Sequence, residues 1–143
     1  IDGPLLATDD GVYRIRDGEG SGTIRSTGLE TANDVAARGP FAATDAGLYT
    51  LGNGWRAAVD GSVESVAALS QERACAAGEA FYGRDDDGWR TVDLPADDPV
   101  SAVAFGDRAY VITENGTLLA GPEWRSRSLG IGDIGGITAI PTE

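Results

Sequence analysis

The residue types best suited to chemistry recur along this chain instead of clustering. An acid stands at Asp9, Asp45, Glu79 and Glu114, and an arginine at Arg25, Arg56, Arg90 and Arg125, one of each per quarter of the 143 residues. Trp55, Trp89 and Trp124 come directly before three of those arginines, and they follow Thr44, Gly78 and Thr113 by eleven residues each. An indole beside a charged pair could offer an aromatic platform to a sugar or peptide. A position copied in register argues instead for a frame. Each Trp then packs between neighbouring units with its N–H on a turn carbonyl, and each acid meets the arginine of its own unit as one ion pair. An exposed pair of that kind adds at most about 1 kcal/mol.

Other constellations carry less. Asp85, Asp86 and Asp87, and the pair Asp97 and Asp98, offer the clustered oxygens that hard cations want. Their spacing fits no calcium loop, and adjacent residues on a strand point to opposite faces, so both runs read as solvated turns and no metal site is expected. The chain has no His, which removes Ser-His-Asp triads, Cys-His pairs and the usual zinc sites. The Gly-rich stretches "GEGSG" and "GIGDIGG" lack the Lys of a phosphate-binding loop and read as turns, so no cofactor is expected. Nothing selects one carboxylate pair among the 23 acids for glycosidic chemistry. The single cysteine, Cys75, reads as a small buried hydrophobe and fits a reducing compartment.

The elements that position these residues are written as a repeat. "GPLLATDDGVYRI" from Gly3 returns as "GPFAATDAGLYTL" from Gly39. The phrase continues in weaker form, dividing the chain into units 3–38, 39–73, 74–108 and 109–143. Within a unit, short apolar or alternating runs are separated by turn signals: "AYVIT", "ENG", "TLLAG", "PE", "WRSRSL", then a Gly/Asp/Pro-rich loop and "VSAVAF". "LETANDVAAR" and "VESVAALSQERACAA" suit a helix by propensity, but they fill the slot of "VSAVAF" and "GGITAI" and are read as strand. The expected fold is all-β, with four-stranded antiparallel sheets in tandem as the blades of a β-propeller. Lettering the strands A to D from the channel outward, the chain begins at a strand B and ends with a strand A, "GGITAI". Three architectures follow: about four blades forming half of a larger ring, a four-bladed ring closed by that last strand, or another β-solenoid or sandwich. The start at Ile1 and the lack of Met predict that the chain is a processed product or a piece of something longer.

"LLATDDGVYRI", "FAATDAGLYTLGNGWR" and "DDDGWRTVDLP" resemble the blades of uncharacterised β-propeller proteins of haloarchaea. The resemblance spans all four units. It implies a propeller, supports the fragment reading and supplies no catalytic residue. "DDDGWR" is also similar to part of the Asp-box of sialidase-like propellers, without the Ser that begins it, and implies no hydrolase.

Composition sets the habitat. All 11 basic residues are Arg, 15 of the 23 acids are Asp, and the net charge is −12. Such a surface repels itself in dilute buffer and is relieved at molar salt, where the Debye length falls to about 3 Å. This pattern resembles salt-in haloarchaeal proteins. It excludes a nucleic-acid binder, which needs a basic stripe. No apolar run approaches the ~20 residues of a membrane helix, and a cytoplasmic protein is expected. Two functions remain. One is a non-enzymatic interaction scaffold binding a protein or small ligand through loops on one face, with a second propeller half or another protein as partner. The other is an enzyme, a lyase or hydrolase, whose site at the channel mouth is completed by residues outside this chain. The candidate face is the set of D-to-A loops, carrying Asp34, Asp60, Asp97, Asp98 and Asp133.

Overall fold

Turns rich in Gly, Asp and Asn cut the chain into strands too short to stand alone, and each strand pairs with the next in sequence. The computed structural model describes residues 5–18, 21–26, 29, 31–132, 134 and 136–139, with only the backbone of 15–18 and 21–26. The first sheet holds β1 (Leu5–Thr8), β2 (Gly11–Gly18) and β3 (Ser21–Ser26). The second holds β4 (Asp34–Ala36), β5 (Phe41–Thr44), β6 (Gly47–Leu51) and β7 (Trp55–Asp60). The third is β8 (Val63–Ala68), β9 (Ala74–Gly78), β10 (Phe81–Asp85) and β11 (Gly88–Thr91), and the fourth β12 (Val100–Phe105), β13 (Ala109–Thr113), β14 (Thr117–Ala120) and β15 (Arg125–Ser128). Every pairing is antiparallel and sequential, which is a meander. The structure is all-β, and the two segments with helical propensity form β4, β8 and β9.

Strands β1, β5, β9 and β13 stand at the heads of the four repeat units. Each B–C turn is locked locally. The hydroxyl of Thr44 donates to the Gly47 carbonyl at 2.8 Å and accepts from the amides of Ala46 and Gly47. Thr8 repeats the pattern with Gly11 and Asp10, and the Thr113 hydroxyl accepts from the Thr117 amide. A Ser or Thr oxygen replacing a backbone partner in a tight turn is the reason such residues favour these sites.

The sheets stack in chain order, and the core is divided among their seams. Leu5, Val12, Val35 and Ala42 join the first two sheets, with Trp55 packed against them. Phe41, Leu48, Val63, Val66 and Ala76 join the second and third. Cys75, Phe81, Val103, Val111 and Leu119 join the third and fourth. The sheets are not closed into a ring. Self-closure by "GGITAI" is not made: described residues 136–139 belong to no strand, and the first sheet keeps three strands. A register shift at Ser101 in β12 frees its hydroxyl to donate to the Ile134 carbonyl at 2.8 Å. That bond holds the C-terminal segment beside β12, where Ile137–Ala139 line a cavity with residues of β4, β8 and β12.

Candidate functional site

Aligning the units on the last residue of the motif, Thr8, Thr44, Gly78 and Thr113, puts Leu5, Phe41, Cys75 and Tyr110 in one slot three residues earlier. Across the ladder they face Arg14, Thr50, Gly83 and Ala120. In the second sheet the pair is Phe41–Thr50. Phe41 is fully buried and meets the edge of Trp89 from the next sheet, with ring centroids 5.3 Å apart and planes at 87°. In the third sheet the pair is Cys75–Gly83, so a ring and a branched side chain give way to a thiol and a hydrogen. Trp124 of the fourth sheet packs edge-on against Phe81 instead, at 5.1 Å and 82°. The space left over is a cleft of about 490 Å³ that both Cys75 and Gly83 line, well within the range of small-ligand sites.

The turn before Trp124 also differs. The turns into β7 and β11 place their left-handed residue on glycine, Gly54 and Gly88, with φ of 127° and 118°. The fourth unit has Glu123 at that point, and Trp124 itself takes the left-handed conformation at φ 55°. A bulky side chain there costs about 1–2 kcal/mol, which the indole's packing on Phe81 and over Gly121 offsets.

The rim of the cleft inverts the charge of the protein. Four of the 11 arginines, Arg73, Arg84, Arg90 and Arg108, line it with two of the 23 acids, Asp85 and Asp107. Arg73 crosses the seam, donating to the Asp107 carbonyl at 2.9 Å and lying 5.6 Å over the Phe105 ring. Arg84 donates to the Asp85 carbonyl at 2.8 Å, and Arg90 pairs with the Asp85 carboxylate at 3.2 Å. The Arg108 carbonyl accepts from the Gly106 amide at 3.0 Å, while its guanidinium has no hydrogen bond or ion pair among the described residues. At the floor, burial pushes the Cys75 thiol up to about 12, so it stays protonated at neutral pH and is no nucleophile.

Among the described residues the expected ladder of one ion pair per unit does not form. Asp45 and Glu114 sit at the B–C end of their sheets, whereas Arg56 and Arg125 begin strand D at the other end, a full strand C away. Asp45 accepts instead from the Asn33 amide at 2.9 Å. Glu79 lies against Gly61, and Arg90 takes Asp85 from its own hairpin. Asp9 is exposed, and the Arg25 side chain lies outside the described residues. Two of the expected loop residues are in strands: Asp60 ends β7, followed by a connection of only Gly61–Ser62, and Asp34 begins β4. Asp34 is structural. Its carboxylate accepts from the Val35 amide at 2.9 Å and, across the seam, from the Val66 amide at 3.0 Å. Asp97 is exposed and Asp98 half-buried in the longer 92–99 loop, and Asp133 lies outside the described residues. The Asp85–Asp87 run is a turn in which Asp85 accepts from the Asp87 amide. Among the described residues no group of His, Cys, Asp or Glu is arranged to hold a metal.

Repeated meanders of three and four strands, seams that each take one tryptophan, Trp55, Trp89 or Trp124, and a match of the HVO_0234-like beta-propeller family to residues 1–140 agree. The chain belongs to that β-propeller family. Neither a curated protein nor a solved structure matches it. In propeller terms the cleft lies between two adjacent blades, towards the face carrying the A–B and C–D turns. The D-to-A loops lie at the opposite face. No helix among the described residues is long and apolar enough to cross a membrane.

Proposed function

We propose that this propeller is a non-enzymatic binding module and that the cleft between its third and fourth blades receives a small ligand. The observation that carries this reading is the Cys75–Gly83 pair: two small residues open a cavity at the positions that Phe41 and Thr50 occupy in the seam before it. A binding role, and not a covalent reaction, is supported by the protonated thiol at its floor and by a chain without His. The acidic surface points to work in molar salt, inside the cell. The test is a small-molecule screen by thermal shift in molar KCl, run on the wild type and on Cys75→Phe, which writes the second blade's solution into the third. Ligands that stabilise the wild type and lose their effect on the filled variant are the expected result. Ligands that act equally on both would place binding elsewhere and overturn the proposal.

A second reading concerns assembly. Among the described residues the first sheet has three strands where the other sheets have four, and the first and fourth sheets are not joined. We infer that further blades, from the same protein or a second chain, complete the ring. Light scattering in molar KCl tests this: a particle near twice 14.7 kDa, or co-elution of a second polypeptide, is expected, and a stable monomer of this chain alone counts against it.

A further inference from the structure

Within that binding reading, on which this inference rests, we propose that the ligand of the inter-blade cleft is an organic oxyanion: a flat apolar body carrying a carboxylate or phosphate head. The charge of the cleft is the first argument. The chain carries −12 overall, yet the cleft gathers four arginines against two acids. In a chain with 23 acids and 11 bases, such a concentration of cations is the feature that needs an occupant.

The disposition of the guanidinium groups is the second. Each arginine has five N–H donors in a planar fork. Arg73 and Arg84 each donate one to a backbone carbonyl, which holds the side chain without neutralising it. Among the described residues only Arg90 is paired with a carboxylate, and the Arg108 guanidinium has no partner. Carbonyl-tethered guanidinium groups around an opening are oriented donors that keep their charge, the arrangement that a planar two-oxygen head can meet with paired bonds.

The floor decides the rest of the ligand. Phe81, Val92, Phe105 and Trp124 surround the small Cys75–Gly83 pair, so a body inserted below the guanidinium rim meets apolar and aromatic surface. At molar salt, long-range attraction is screened within about 3 Å and chloride is abundant. Affinity must therefore come from short directional bonds together with apolar burial, and an inorganic anion supplies only the first.

The experiment is calorimetric titration in molar KCl with four probes: 2-naphthoate, 2-naphthyl phosphate, 2-naphthylmethanol and inorganic phosphate. One or both naphthyl anions are expected to bind, the stronger identifying the head, with the neutral alcohol and inorganic phosphate at least about tenfold weaker. Arg108→Ala, a change at an exposed turn that leaves the core untouched, is expected to weaken the anion by about tenfold, the loss of one charge-assisted bond, and to leave the alcohol unchanged. Binding of the alcohol as tightly as the anions, with both lost in Cys75→Phe, would overturn the oxyanion while leaving the cleft as the binding site. Absence of binding by either naphthyl anion, or anion binding indifferent to Arg108→Ala, would also overturn the inference.

Discussion

Two seams of this propeller use the same parts and end differently. Between the second and third blades, Phe41 fills the slot behind Trp89. Asp34 reaches across to the Val66 amide, and Asn33 donates to the Val63 carbonyl at 2.9 Å. Between the third and fourth blades the slot holds Cys75, the tryptophan has moved to Phe81, and a polar link across the seam runs from Arg73 to the Asp107 carbonyl at the rim. Where Phe41 meets Trp89 the one seam is filled; the other is closed at Phe81 and Trp124 and open beside them. The lesson is that in a repeat protein a site can be made by subtraction. The frame supplies walls at every seam, and the loss of one large side chain and its cross-strand partner turns a wall into an opening.

The largest effect should come from breaking the closed seam. Phe41→Ala is expected to cost about 3–5 kcal/mol, the usual range for emptying a buried aromatic site, read from urea unfolding in molar KCl. Cys75→Ala at the corresponding position should cost far less, since the cavity exists already. Equal losses would mean that the two seams are not differently packed. Closing the open seam is the converse. Cys75→Phe with Gly83→Thr is expected to gain about 0.5–2 kcal/mol, as cavity filling commonly does. A loss instead would show that the cleft's shape is held by more than those two residues.

An alkaline titration sharpens the contrast without altering packing volume greatly. The Cys75 thiol titrates near 12 in the fold against 9.0 for an unperturbed cysteine. The unfolded chain therefore releases that proton from about pH 9 upward while the folded chain keeps it. The stabilisation is complete below that point and drains away as pH rises towards 12. Unfolding profiles of wild type and Cys75→Ala from about pH 8 to 11 should diverge, with the wild type falling more steeply; parallel profiles would contradict the burial of the thiol. The smallest effect is expected at the rim. Arg90 is 71% exposed in its pair with Asp85, so a double-mutant cycle between them should return no more than about 1 kcal/mol, and less as KCl rises.

Much of this frame was legible in the chain. The repeated "ATD" phrase marks a turn that only a hydroxyl or a glycine can close, as Thr8, Thr44 and Gly78 show, and the fixed interval to Trp carries strands C and D with it. Local chemistry and period therefore led to the blades. The pairing of Glu114 with Arg125 was misjudged for the same reason that the strands were found: equal spacing along the chain says nothing about which end of a sheet a residue occupies. Asp60 reads as a loop residue because the two-residue Gly61–Ser62 connection leaves no compositional mark, and Asp34 because the strand it begins is only three residues long, Asp34–Ala36. The cleft was harder still. Its signal is what Cys75 and Gly83 lack relative to Phe41 and Thr50, and missing volume becomes visible only when the units are laid over one another in register. The four arginines come from two turns and two strands, and nothing in their sequence spacing announces that they line one cleft.

The carboxylate of Asp34 has a consequence for anyone adapting this protein to dilute buffer. Removing negative charge is the obvious route, and acids such as Asp86 or Asp97, exposed in turns and loops, are suited to replacement because their value lies in hydration alone. Asp34 contributes to the same net charge but serves as a rivet, its two oxygens spent on amides of adjacent blades. A redesign guided by counting acids would treat the two kinds as equivalent, and would unfasten the joint between the second and third blades while trying to relieve the surface.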